Sequence, residues 1–101
     1  MDNKARLEIV KKAYESKSIR AKTYYSMLEE TGDMQYDYTN FVSDNFENDF
    51  EKINETGYHK CCCLLTYMLR EDYFTNGAFE KRAEKGYVKK VLERMIELLS
   101  L

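Results

Sequence analysis

Apolar positions recur at helical spacing almost from the start of the chain. Leu7, Val10 and Tyr14 repeat at three- and four-residue intervals among Lys4, Lys11 and Lys12, which predicts a first helix over residues 3–16. Ser18 suits the N-cap of a second helix carrying Ala21, Tyr24, Met27 and Leu28. Gly32 suits its end, because glycine readily takes the left-handed conformation found there. One longer helix bent near Ser16 to Ser18 is the alternative. The stretch GDMQYDYTN has no helical period and reads as the longest loop. Thr39 or Asn40 then caps a third helix, with Val42, Phe46, Phe50 and Ile53 on one face and Gly57 as the stop. YHKCCCLLTYMLRED, residues 58–72, forms a fourth. Asn76 precedes a short fifth over GAFEKRAEK, ending at Gly86. Val88, Val91, Leu92, Met95, Ile96 and Leu99 mark the last helix with the clearest stripe of all. No useful strand-like alternation, repeat or low-complexity linker interrupts this pattern. The expected architecture is all-α, a compact single domain (1–101) of five or six short helices.

Composition agrees. Proline is absent from the 101 residues, where ordinary usage would give about five. A chain of this length has room for one core. The longest strictly apolar run, Cys61 to Leu65, is far short of the ~20 residues that span a bilayer. MDNKARLEIVKKAYE at the N-terminus is charged and amphipathic, without the apolar segment of a signal peptide. Three cysteines in a single cluster argue against a secreted disulfide framework. The expected compartment is therefore the cytoplasm, and no membrane partner is expected.

Charge is distributed unevenly beneath a net of −2. Residues 1–28 carry seven bases and three acids, a net of +4, whereas residues 29–55 carry nine acids against Lys52 alone, a net of −8. Residues 56–101 carry eight bases and six acids, a net of +2. Such polarity within one small domain bears on what it binds.

The cysteines and the lone histidine raise the question of a metal. Successive helical residues point about 100° apart, so Cys61, Cys62 and Cys63 fan out and cannot share an ion. His59 shares a face with Cys62 or Cys63, giving two ligands where a structural zinc needs four and a catalytic one three. Only a symmetric homodimer pooling two His59–Cys63 pairs would complete a site. The simpler expectation is no metal and no cofactor. The cysteines then behave as small apolar side chains of a central helix, together with Leu64, Leu65, Met68 and Leu69.

Residues 64–95 carry Leu64, Leu65 and Thr66, then Arg70, Asp72, Phe74 and Gly77, then Gly86 and Leu92. This pattern resembles the C-terminal half of a small bacterial family of unknown function. Family members often have a second arginine just before the phenylalanine, where this chain has Tyr73. The resemblance implies a fold and a bacterial or phage origin, and assigns no activity. Thr66 and Arg70 lie at i and i+4, so with Asp72 they could form a small anion notch. The other reading is that Arg70 clamps the end of its own helix.

The middle segment interleaves Glu30, Asp33, Tyr36, Asp37, Tyr38, Asp44, Glu47 and Glu51. Asp44, Glu47 and Glu51 would form one negative stripe on the third helix, a like-charge arrangement that disfavours an isolated helix. Two readings stand. The basic first two helices neutralise the stripe internally, or the segment is a surface for a protein partner with a basic groove, such as a nuclease or defence complex. In size, acidity and lack of catalytic residues the chain is similar to the small phage proteins that block bacterial nucleases, in the manner of anti-CRISPR proteins. The competing class is a nucleic-acid-binding regulator using Lys11, Lys12, Arg20 and Lys22. Catalysis is not expected, since there is no Ser/His/Asp set, no glycine-rich phosphate loop and one histidine. The exposed part of the last helix, RMIELLSL, is a further candidate for homodimer contact.

Overall fold

The computed structural model describes residues 1–43 and 45–101. Six helices follow in order: α1 (Asn3–Glu15), α2 (Ala21–Thr31), α3 (Phe46–Glu51), α4 (Tyr58–Phe74), α5 (Ala78–Glu84) and α6 (Tyr87–Leu99). Two single 3-10 turns flank α3, at Tyr38–Asn40 and Ile53–Glu55. There is no strand among the described residues, so the all-α expectation holds. No helix among them is long and apolar enough to cross a membrane.

α4 runs through the centre. Cys61, Cys62, Cys63, Leu64, Leu65, Met68 and Leu69 are all buried along it, because α6, α5, α2 and the first 3-10 turn pack on its different sides. That surround explains why three cysteines pointing in three directions are all inside. α1 closes the bundle against α6 and α2, and Val10, Leu28, Phe79, Val91, Leu92 and Met95 fill the space between. Each such side chain contributes roughly 1.5–3 kcal/mol by leaving water. The radius of gyration, 12.3 Å, is close to the ~13 Å of a packed domain of this length.

Local chemistry sets the helix ends. Asp2 caps α1 by accepting from the Ala5 amide at 2.8 Å. Gly32 ends α2 at φ +73°, a conformation that costs a residue with a Cβ about 1–2 kcal/mol. α2 starts later than expected, at Ala21, with Arg20 at the cap position. Ser18 instead braces the turn: its hydroxyl accepts from the Arg20 amide at 3.1 Å and bonds the Thr23 hydroxyl at 2.8 Å. α1 and α2 are thus separate helices, joined through Lys17 at φ +55°.

The third helix corrects the sequence reading most. It spans six residues instead of running from a cap at Thr39 or Asn40 to a stop at Gly57. Asn45 caps it, its side chain accepting from the Asn48 amide at 3.1 Å. So short a helix has little intrinsic stability. Aromatic packing holds it: Phe46 stacks on Tyr67 at 5.0 Å between centroids, and Phe50 meets Tyr87 at 4.3 Å.

Candidate functional site

The segment between α2 and α3 is pinned at both ends and presents its middle to solvent. At the first end, Asp33 is buried, and its Oδ2 accepts from Arg6 Nε at 2.9 Å and from the Tyr58 hydroxyl at 2.8 Å. Burial, the neighbouring Cys62 and the Asp33 carboxylate push the Tyr58 phenol far above its ordinary value. Two residues on, the Gln35 amide donates to the Thr66 hydroxyl at 3.3 Å, and that hydroxyl donates to the Cys62 carbonyl at 2.8 Å. At the far end, Asp49 Oδ2 accepts from the Ser43 amide at 2.7 Å and its hydroxyl at 2.8 Å, while Oδ1 meets Lys60 Nζ at 2.9 Å. Burial alone would raise the Asp49 carboxyl, but Lys60 and the two Ser43 bonds outweigh it and hold it below its ordinary value.

Between these anchors the chain lies along α4. Tyr38 is half-buried with its ring edge-on to Tyr67 at 6.1 Å, and Phe41 meets the His59 ring edge-on at 4.6 Å. Tyr36, 78% exposed, stands clear of the fold beside the exposed Asp37. Asp37 also approaches α4. One ligand atom each of Asp37, His59 and Cys63 lie within 4.8 Å of one another, with Cys63 Sγ 3.8 Å from His59 Nδ1. The two α4 residues are one helical turn apart, as their spacing required. Asp37 was not legible as their neighbour, because it lies twenty-two residues upstream.

The acids of the middle segment therefore divide. Asp33, Glu47 and Asp49 are neutralised internally, by Arg6, Arg82 and Lys60. Asp33 consequently does not belong to a partner surface. Glu30, Asp37 and Glu51 are exposed and make no ion pair among the described residues. Asp44 lies outside the described residues, so the stripe is represented by Glu47 and Glu51 alone. The neutralising bases also differ from those expected. Only Arg6 comes from the first two helices, while α3 is answered by Lys60 of α4 and Arg82 of α5. Arg82 is the most connected of these. It takes Glu71 bidentately, with Nε and Nη2 each at 3.0 Å, reaches Glu47 at 3.2 Å and lies 4.3 Å over the Phe46 ring.

The anion notch does not form. Thr66 is buried and committed to the Cys62 carbonyl and the Gln35 amide. Asp72 accepts from the Phe79 amide at 3.0 Å and so braces the start of α5. Arg70 neither joins them nor clamps its helix end; it is exposed, 5.6 Å over the Tyr73 ring. Tyr73, where family members often have arginine, and Phe74, a position of the family pattern, are 77% and 76% exposed and make an edge-on pair there at 5.2 Å.

Lys11, Lys12, Arg20 and Lys22 are all exposed and make no ion pair among the described residues. Beside them, an open groove of about 710 Å³ runs between the α1–α2 turn and α5–α6, with Tyr14, Ile19, Tyr24 and Leu92 among its walls and Glu15, Lys17 and Lys89 at its charged positions. On α6, the segment that is a candidate for homodimer contact, Ile96, Leu98 and Leu99 are partly buried against the core and Leu101 is exposed.

These elements define a class: a small all-α protein with one continuous core and an aromatic-tipped acidic loop pinned across its central helix. The chain belongs to the family of unknown function DUF6508, whose sequence pattern matches residues 2–100. The resemblance read over residues 64–95 thus extends over nearly the whole chain. No curated protein and no solved structure matches it.

Proposed function

We propose that this is a bacterial or phage-borne protein that acts by binding a protein partner, through the loop tip around Tyr36 and Asp37 with Glu30 and Glu51 contributing charge. The observation that carries this reading is Tyr36, a large aromatic standing 78% exposed next to an uncompensated carboxylate on an anchored loop. Tyrosine on a pinned loop offers contact area with little ordering cost, and aromatic anchors dominate binding energy at many interfaces. The uncompensated carboxylates favour a partner that presents Lys or Arg. A nucleic-acid-handling enzyme with a basic groove fits that chemistry, and occupying such a groove would inhibit it.

A second reading has its own observation: the four exposed bases at the N-terminal end have no carboxylate partner among the described residues, which suits contact with phosphate. The test is affinity capture from bacterial lysate with and without nuclease, comparing wild type, Tyr36→Ala/Glu30→Lys and Lys11→Glu/Lys12→Glu/Lys22→Glu. A defined protein retained after nuclease and lost with the first variant supports partner binding. Nucleic acid recovered alone, and lost with the second variant, overturns it in favour of the basic face.

A further inference from the structure

Asp37, His59 and Cys63 bring three different metal-ligating groups to one place from two elements. His59 and Cys63 come from successive turns of α4, and Asp37 immediately precedes the 3-10 turn Tyr38–Asn40 that packs on that helix. Their ligand atoms lie within 4.8 Å of one another. Bond lengths of about 2.3 Å to sulfur and 2.0 Å to nitrogen, at a tetrahedral angle, place those two atoms about 3.5 Å apart. Cys63 Sγ and His59 Nδ1 are already at 3.8 Å. The exposed Asp37 carboxylate, within 4.8 Å of both, needs to close by at most about 1.5 Å to reach the same centre.

The surroundings leave the three groups to one another. The Asp37 carboxylate makes no hydrogen bond or ion pair among the described residues, and the polar contacts of the His59 and Cys63 side chains are with each other. The nearest ammonium on α4, Lys60, is committed to Asp49 at 2.9 Å. Phe41 backs the imidazole edge-on at 4.6 Å and fixes its setting. Burial first, and then the Asp37 carboxylate, push the Cys63 thiol up to about 11, with Lys60 opposing them. A divalent cation would reverse both effects, because it stabilises thiolate and carboxylate together.

We propose that Asp37, His59 and Cys63 form a zinc site with one oxygen, one nitrogen and one sulfur ligand, water completing the tetrahedron. The mixed donor set favours zinc over the oxygen-seeking magnesium and calcium. On binding, the Cys63 thiol releases its proton to solvent as the zinc–sulfur bond forms. The ion ties the loop to α4 at the residue that follows Tyr36. The site shares Asp37 with the partner surface but does not rest on that reading.

The test is Co²⁺ titration of the reduced, metal-free full chain, followed by displacement with Zn²⁺. The expected result is one Co²⁺ per chain, with tetrahedral visible bands and a sulfur charge-transfer band that Cys63→Ser abolishes. Because Cys63 is buried, that variant could fail to fold. Asp37→Asn and His59→Gln change exposed side chains and keep the test decisive. Each should weaken Zn²⁺ binding at least about tenfold and leave the thermal unfolding of the metal-free protein unchanged. No saturable band, or unchanged affinity in Asp37→Asn, overturns the site. So does half an equivalent of metal per chain with dimerisation, which would assign the ion to pooled His59–Cys63 pairs. Tyr36→Ala should bind Co²⁺ normally, so loss of the partner and loss of the metal are separable.

Discussion

Arg82 is where charge, aromatic packing and the placement of α3 meet, and replacing it by lysine isolates its geometry from its charge. The arginine side chain is 18% exposed and Glu71 is 25% exposed, so their two parallel bonds at 3.0 Å are largely shielded. Charge-assisted bonds in that setting are worth about 1 kcal/mol each after discounting for the remaining solvent. The guanidinium 4.3 Å over Phe46 adds about 0.5–1 kcal/mol. Lysine keeps the charge but supplies neither the fork nor the planar face. Arg82→Lys is therefore expected to lose about 2 kcal/mol. In a domain of this size that is a fall in Tm of about 8–16 °C, read by far-UV circular dichroism. Glu47, 58% exposed and meeting Arg82 at 3.2 Å, should matter far less, with Glu47→Gln costing under about 0.5 kcal/mol and Glu71→Gln about 1–2 kcal/mol. An Arg82→Lys variant within about 0.5 kcal/mol of wild type, or a Glu47→Gln variant as damaged as Glu71→Gln, would refute the reasoning.

Asp33→Ala leaves Arg6 and the Tyr58 hydroxyl without their shared acceptor and should cost about 2–3 kcal/mol in urea unfolding; Asp33→Asn, which keeps one acceptor oxygen, should cost distinctly less. Burial first raises the thiols of Cys61, to about 12, and Cys62, beyond it. The folded state thus holds protons that the unfolded chain releases from about pH 8.5 upward. Stability is complete below that value and should fall by about 3 kcal/mol per pH unit above it for these two groups together. A urea midpoint that is the same at pH 8 and pH 10 would sink this account. Lys17 sits at φ +55°, so Lys17→Gly should raise the urea midpoint, by about 0.5–1 kcal/mol of stability, whereas Gly77→Ala at φ +87° should lower it by about 1 kcal/mol.

Helices with a long apolar period were legible in the sequence. α4 and α6 declare themselves through Cys61 to Leu69 and Val88 to Leu99, because burial on a 3.6-residue repeat leaves a pattern that neighbours cannot disguise. α3 was misjudged by the same rule. Val42, Phe46, Phe50 and Ile53 do face inward, wholly or in part, but only Phe46 and Phe50 belong to the helix; Ile53 starts a separate 3-10 turn. Periodicity reports which residues are buried, and here tertiary stacking on Tyr67 and Tyr87 places them without a continuous helix. Asp33 was misplaced for a related reason. Its half-buried partners, Arg6 and Tyr58, lie 27 and 25 residues away, and no local spacing announces a bond of that range.

The internal pairing also bears on the charge of the middle segment. Its net of −8 overstates what a partner meets, since Asp33, Glu47 and Asp49 each hold a cation from another element. Those three pairs have structural work. Asp33 ties the loop to α1, Asp49 closes the α3 cap onto α4, and Glu47 joins α3 to α5. The acids left unpaired, including Glu30, Asp37 and Glu51, sit around and beyond the anchored loop. A screen that reverses the whole acidic segment would therefore confuse unfolding with lost binding, as Glu47→Lys places two cations together at Arg82. Glu30→Lys and Tyr36→Ala separate the two effects, because neither side chain makes an intramolecular polar contact among the described residues. Both variants should unfold within about 0.5 kcal/mol of wild type. If they do, any loss of partner they show belongs to the surface, and if they do not, the loop tip is part of the fold and the partner surface must be sought elsewhere, beginning with Tyr73 and Phe74.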